Sequence, residues 1–476
     1  MEHIVFLTGR LAQPSLAQVL ASIDPPLFTW EVREIGLQVA GLMTADLIRR
    51  RLQAPVAADR IMVPGRCRGD LDALAGLYGM PVVRGPDELK DLPRHFDRAA
   101  VGVDLSRFET HIFAEIVDAS TLSVAAIVAR ARRLRADGAD VIDLGCLPAT
   151  PFPHLEESIA ALKGEGHRVS VDSLEPDELL RGGRAGADYL LSLTPDTRWI
   201  ADEVASTPVL IAREPVDEAS LYELIEDFQG RGRSFLADSI LDPIPFGLLA
   251  SLGRYQRLRE RFPTVDIMMG IGNLTELTEA DTSGINALLL GIAAELRAAA
   301  VLTTEVSPHA RRAVREADLA RRVMFAAREN QSLPKGFDDG LMTVHERRPF
   351  PDSAAEIARN AAAVKDPNYR VQVSQEGIHV YNRDGLSSHT DPFELYPRLG
   401  LEDDGGHAFY LGVELARAEI AWQLGKRYVQ DRPLDWGCAF EHAAEDLLRH
   451  RAPGATMRRR RHPDTNEDRK ANAQDS

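Results

Sequence analysis

Three runs decide the fold: Asp140-Val-Ile-Asp-Leu-Gly145, His167-Arg-Val-Ser-Val-Asp172 and Asp188-Tyr-Leu-Leu-Ser-Leu193. Each is a short, nearly continuous apolar stretch with a polar residue close to its end. Between them lie amphipathic segments, Leu155 to Lys163 and Pro176 to Ala185, bounded by Gly or Pro and long enough for a crossover helix. Strands of this kind alternating with helices predict parallel βαβ units, in a sheet covered on both faces. The chemistry of such a sheet collects at the carboxyl ends of its strands. Asp143 and Asp172 fall near two of those ends. An uncompensated buried carboxylate is costly, so both are expected to face a polar pocket or a partner.

Working outward, further runs of the same type occur at His111 to Asp118, Pro208 to Ala212, Ser234 to Asp238, Asp266 to Gly270 and Ala300 to Glu305. Eight strand-then-helix repeats between residues 109 and 328 match a closed (β/α)8 barrel of the TIM type. The alternative is an open doubly wound sheet, whose Gly-x-Gly-x-x-Gly turn is missing. Residues 1–108 read as a small open α/β domain, with strands at His3 to Thr8, Trp30 to Ile35 and Arg60 to Pro64. Its Thr8-Gly-Arg-Leu segment is either a cradle for an anion at a helix start or a plain strand-to-helix turn. Residues 329–448 read as an α+β domain. It holds a hairpin of Asn368 to Val373 and Gly377 to Asn382, and a helix from Tyr410 to Tyr428 striped by Leu411, Leu415, Ala418, Ala421 and Leu424. From 449 to 476 the chain turns polar around Arg458-Arg-Arg-Arg461 and is expected to be a disordered, solvated tail.

Composition narrows the function. A net charge of −16 over 476 residues argues against a nucleic-acid groove, which wants a basic stripe. No apolar run is long enough for a membrane span and no secretory leader is present, so a cytoplasmic protein is expected. The three cysteines, Cys67, Cys146 and Cys438, are far apart and suit a reducing compartment. The thirteen histidines contain no His-x-x-x-His pair, so a structural zinc is not expected.

If the barrel forms, its rim carries Asp118, Asp143, Asp172, Ser192, Asp242 and Asn273. Each acid taken alone could be a helix N-cap or one half of a loop ion pair. Together they suit a flat ligand rich in N–H donors, because a carboxylate accepts two parallel N–H bonds from an amidine-like edge.

Gly138-Ala-Asp-Val-Ile-Asp-Leu-Gly145, Val169-Ser-Val-Asp-Ser173, Gly186-Ala-Asp-Tyr-Leu-Leu-Ser192 and Leu241-Asp-Pro243, in this order, resemble the pterin-binding barrels of dihydropteroate synthases. Gly270-Ile-Gly-Asn-Leu-Thr275 looks more like the pterin-dependent methyltransferases of the same superfamily. The flanking segments Gly405-Gly-His-Ala-Phe-Tyr-Leu-Gly412 and Leu424-Gly-Lys-Arg-Tyr-Val-Gln-Asp431 resemble dihydropteroate synthase-related proteins of methanogens and methylotrophs. The barrel part of the resemblance covers less than half of the chain.

The resemblance implies a transferase of one-carbon metabolism that joins 6-hydroxymethyl-dihydropterin diphosphate to an arylamine in tetrahydromethanopterin biosynthesis. It implies a pterin site at Asp143, Asp172, Ser192, Asp242 and Asn273, with Asp118 and Asp172 catalytic. It further implies Mg2+ near Asp118. Ser307, His309 and Arg312, after the eighth strand, are either phosphate holders or the start of a surface helix. The chain departs from the synthases at Leu191, which replaces their pterin-binding asparagine. It also departs at Gly145-Cys-Leu-Pro-Ala-Thr150, which lacks their arginine, and after the seventh strand, where their lysine is missing. Two alternatives stay open: a pterin-dependent methyltransferase, which would need a corrinoid partner protein because no Asp-x-His-x-x-Gly pattern is present, and a non-catalytic pterin carrier or assembly subunit. A homodimer is one assembly this reading allows.

Overall fold

The computed structural model describes residues 1–440, apart from 24–26, 87–88, 94 and 97–103. The expected tail at 449–476, with Arg458 to Arg461, lies outside the described residues. The chain divides into two compact units, Met1–Asp104 and Leu105–Ser476.

In the first unit β1 (His3–Thr8), β2 (Thr29–Glu34), β3 (Arg60–Val63) and β4 (Val82–Arg84) form a parallel sheet in the order β2-β1-β3-β4. Alternation along β1 sends Ile4 and Phe6 to a cluster with Leu16, Leu20 and Phe28, while Val5 and Leu7 join Ile48, Ile61 and Leu74 on the other face. The fourth strand was not expected, because three residues are too few to show a period. The turn after β1 is the plain one. Arg10 N donates to Leu37 O at 2.7 Å and Leu11 N to Gln38 O at 3.1 Å, so these amides are already spent within the chain. A Cβ on Gly9 would stand 2.7 Å from Ala40 N, which explains the glycine.

The second unit contains the expected (β/α)8 barrel. Its strands are β5 (His111–Ile116), β6 (Val141–Gly145), β7 (Arg168–Asp172), β8 (Tyr189–Leu193), β9 (Thr207–Leu210), β10 (Leu236–Ala237), β11 (Met268–Gly270) and β12 (Ala300–Thr304). All run parallel in the order β10-β9-β8-β7-β6-β5-β12-β11. A single bridge between Ala237 and Ile267 closes the ring. The strands read as continuous apolar runs because both faces are covered. Ile112, Ala114, Ile142, Leu144, Val169 and Val171 pack outward against the helices. Phe113, Val141, Leu191, Val209, Leu236, Met268 and Ala300 fill the interior. Phe113 and Tyr189 meet there nearly edge-on at 4.9 Å. The next inward positions toward the carboxyl end are not apolar, and they make the site.

Past the barrel, β13 (Arg370–Ser374), β14 (Gly377–Asn382) and β15 (Gly385–His389) form an antiparallel sheet. The expected hairpin is its first two strands. β15 was not expected, since Gly-Leu-Ser-Ser-His is a polar edge strand, exposed along most of its length. The following helix spans Gly405–Leu424 rather than Tyr410–Tyr428. Asp404 caps it by accepting from His407 N at 3.1 Å, and Gly425 stops it in the left-handed conformation at φ 61°. Its stripe of Leu411, Leu415, Ala418 and Ala421 is buried against β13 and β14. Among the described residues no helix is long and apolar enough to cross a membrane.

Candidate functional site

At the carboxyl end of the barrel, register brings acids side by side. Glu115 on β5 pairs with Asp143 on β6, which pairs with Ser170 on β7, and Asp172 lies two residues further along the same face. Glu115 shares its face with Phe113, as Asp143 does with Val141, so all three acids point into the barrel. One carboxylate oxygen from each of Glu115, Asp143 and Asp172 lies within 4.8 Å of the others. Asp143 is fully buried and accepts from the Ser170 hydroxyl at 2.5 Å. Gly145 makes room for the group: a Cβ there would stand 2.6 Å from Glu115 Oε1 and 2.8 Å from the Val117 Cα.

The electrostatics follow from burial and like charge. Burial, then the charges of Asp172 and Glu115, hold the Asp143 carboxyl well above the usual carboxylate range, against the opposing Ser170 hydrogen bond. Burial and the nearby Glu276 push Glu115 up to about 7. Burial, Glu115 and Asp238 push Asp172 up to about 7. Asp238, just past β10, is raised by burial to about 6, although the Tyr255 hydroxyl and Ile240 N both donate to it. Burial, followed by Glu178, raises the Cys146 thiol and keeps it from acting as a thiolate. Near neutral pH the inner acids can therefore both give and take hydrogen bonds.

The remaining expected residues take varied positions. Ser192 sits in a bulge of β8 between Leu191 and Leu193. Asp242 is clamped by Arg254 Nη2 at 2.8 Å, while the same guanidinium donates to Ser239 O and Ile240 O. Asn273 is exposed, and its Nδ2 donates to Leu241 O at 2.8 Å, tying together the loops after β10 and β11. Asp118 stands apart from the inner acids. It is half exposed and pairs with Arg130 Nη1 at 2.9 Å. Of the expected phosphate holders, Ser307 N donates to the Glu276 carboxylate at 2.8 Å, His309 Nε2 lies 3.0 Å from Thr275 O, and Arg312 lies 3.5 Å from Asp137. Arg130, Arg133 and Arg311 line an open cleft of about 490 Å³ together with Ala129 and Glu305. Exposed apolar side chains, Leu174, Val216, Phe246 and Leu277, stand on loops following β7, β9, β10 and β11.

The inner acid that sequence reading missed is Glu115. Its signal was a charged residue at an inward position of an otherwise apolar strand. Asp238 and Glu276 were missed as well. Asp238 closes an apolar run in the same way, whereas nothing local marks Glu276.

Residues 2–87 match a family of unknown function, DUF6513. An uncharacterized protein of Methanocaldococcus jannaschii is 28% identical over 520 residues, covering 90% of this chain and 98% of that protein. Among solved structures, the chain is similar to the dihydropteroate synthase of Xanthomonas albilineans in complex with 7,8-dihydropteroate. That likeness has 21% identity and a TM-score of 0.36, over 48% of this chain and 95% of that chain. It is also similar to the dihydropteroate synthase of Anaplasma phagocytophilum with bound 6-hydroxymethylpterin-monophosphate, at 16% identity and a TM-score of 0.35, over 46% of this chain and 98% of that chain.

Proposed function

We propose that the barrel mouth binds a pterin and joins its 6-hydroxymethyl diphosphate form to an arylamine, in the biosynthesis of a tetrahydromethanopterin-type carrier. The observation that carries this reading is the convergence of Asp143, Asp172 and Glu115 inside the rim, on strands whose sequences resemble the pterin-binding motifs. A pterin presents an amino group and ring N–H donors along one edge, and Glu115 and Asp172, each pushed up to about 7 by burial and like charge, match that edge in either protonation state. Asp242, oriented by Arg254, supplies a further acceptor, and Asn273 stands on the neighbouring loop.

In the reaction, the amine nitrogen attacks the exocyclic methylene carbon, the bond from that carbon to the diphosphate oxygen breaks, and the amine gives up a proton. Diphosphate is a good leaving group, so positioning and charge neutralisation supply most of the rate. The cleft lined by Arg130, Arg133 and Arg311 offers the diphosphate its counter-charge, beside the Ser307 to Arg312 loop. The exposed Leu174, Val216, Phe246 and Leu277 offer apolar surface to an aromatic ring.

The experiment is calorimetric titration with dihydropterin, its 6-hydroxymethyl diphosphate form and a methyl-tetrahydropterin, comparing wild type with Asp172→Asn and Asp242→Ala. Tight binding of the diphosphate form, weakened in both variants, supports the synthase and justifies assays with arylamines. Methyl transfer is the second reading. It is favoured because among the described residues no basic side chain pairs with the inner acids, while an amide, Asn273, stands at the rim. Preference for the methylated pterin would select it, and failure of every pterin to bind would overturn both.

A further inference from the structure

The second oxygen of Asp143 has no hydrogen-bond partner, although the side chain is fully buried. A buried acceptor left unmatched costs on the order of 1–3 kcal/mol, and more when charged. Such a group calls for an explanation, and a bound ion is one that fits a buried acid. The surroundings say which kind. The facing groups are oxygens: Glu115 on β5, Asp172 on β7 and the Ser170 hydroxyl on Oδ1. Among the described residues no Lys, Arg or His makes an ion pair with any of the three carboxylates. Glu276 and Asp238 add further negative charge from the loops beyond β11 and β10.

Distance selects among ligands. The three candidate oxygens lie within 4.8 Å of one another. Oxygens on opposite sides of one hard divalent cation stand roughly 4.2–5.0 Å apart, given metal–oxygen distances of about 2.1–2.5 Å. One ion among the acids therefore reaches all three with small side-chain adjustments. We propose that Glu115, Asp143 and Asp172 form a divalent-cation site belonging to the barrel itself, filled without any organic ligand. An all-oxygen set on three adjacent strands suits Mg2+ or Mn2+, with water completing the shell on the open side. The half-exposed Asp118, held by Arg130, is not part of it. The site shares its carboxylates with the pterin reading, and a test that contains no pterin separates the two.

The test uses full-length protein, stripped with chelator, dialysed, and titrated with Mn2+ alone while the free ion is followed by its EPR spectrum. One ion per chain is expected, displaced by Mg2+. Asp143→Asn and Glu115→Gln should each weaken binding by about tenfold or more, and Asp118→Ala should leave it unchanged. Asp172→Asn, nearer the rim, serves as an additional ligand variant if the buried substitution prevents folding, which circular dichroism reports. The proposal is overturned if the wild type binds no Mn2+ at ~1 mM, the weak end of the calcium-site range. It is equally overturned if binding survives loss of Glu115 and Asp172, or disappears with Asp118. Because no pterin is present, failure here leaves the pterin reading standing, and the reverse also holds.

Discussion

Gly145 has no side chain because Glu115 Oε1 and the Val117 backbone occupy the place where a Cβ would go. Gly145→Ala therefore tests the acid cluster without removing a ligand. Displacing Glu115 should weaken Mn2+ binding by about tenfold, the size expected when a ligand's support is lost, while the circular dichroism spectrum is kept. Glu305, at the end of β12, offers a pH test away from the inner acids. Burial holds its carboxyl up to about 7, against the opposing Val314 amide and Arg133. The unfolded chain releases that proton near 4.5, so the folded chain binds more protons between these values. Stability should fall as pH rises through this window and level off above it. Glu305→Gln should make the fall shallower, with the raised inner acids supplying the rest, and raise stability at pH 8 by up to about 3 kcal/mol, as read from denaturant unfolding across the window. At this scale the sequence was partly legible. Asp143 and Asp172 could be placed at the carboxyl end of the barrel because their strands had clear ends. Extending the first barrel strand to Asp118 made that residue the rim acid, and the true inward residue, three positions earlier, was passed over. The partners of His309 and Arg312, Thr275 O and Asp137, come from segments that no local pattern connects to them.

Among elements, the helix Ala313–Glu329 is tied to the amino end of the barrel by Arg321, beside the bonds of Arg322 to Leu105 O and Ser106 O. Arg321, almost wholly buried, donates to Thr110 O, Gly138 O, Asp140 and Asp318, and lies 3.7 Å from the Phe108 ring centroid. Arg321→Met would take from Asp140 its buried partner and leave it the Ile112 amide and the more distant His111 and Arg135. The expected loss is about 3–5 kcal/mol of unfolding free energy, with Mn2+ binding by the remaining folded protein unchanged, since the acids are at the opposite end. Elements with a strong period were readable from the sequence. All eight barrel strands were, because double burial makes them conspicuously apolar. β4 and β15 were not, one being three residues long and the other polar at a sheet edge. The helix Gly405–Leu424 was placed late because its start depends on an Asp404 cap rather than on its apolar stripe.

For the whole molecule, two compact units imply two stabilities. Ile61, fully buried in β3, belongs to a core confined to the first unit. Ile61→Ala should cost about 2–5 kcal/mol there. Hydrogen exchange should show β1 to β4 amides losing protection while β5 to β12 keep theirs; a uniform loss across both units would mean that they unfold as one. The second unit has an asymmetry of its own. Its ring is continuous except at β10 and β11, which meet through the single bridge of Ala237 and Ile267. Counting around the ring, the point opposite that seam lies between β6 and β7, the strands that carry Asp143 and Asp172. The barrel thus resembles a clasped bracelet whose jewel is set across from the clasp. An ion held by the acids as proposed would brace β5, β6 and β7, on the side of the ring away from the seam, while the seam itself is tied by the Asn273 bond to Leu241 O.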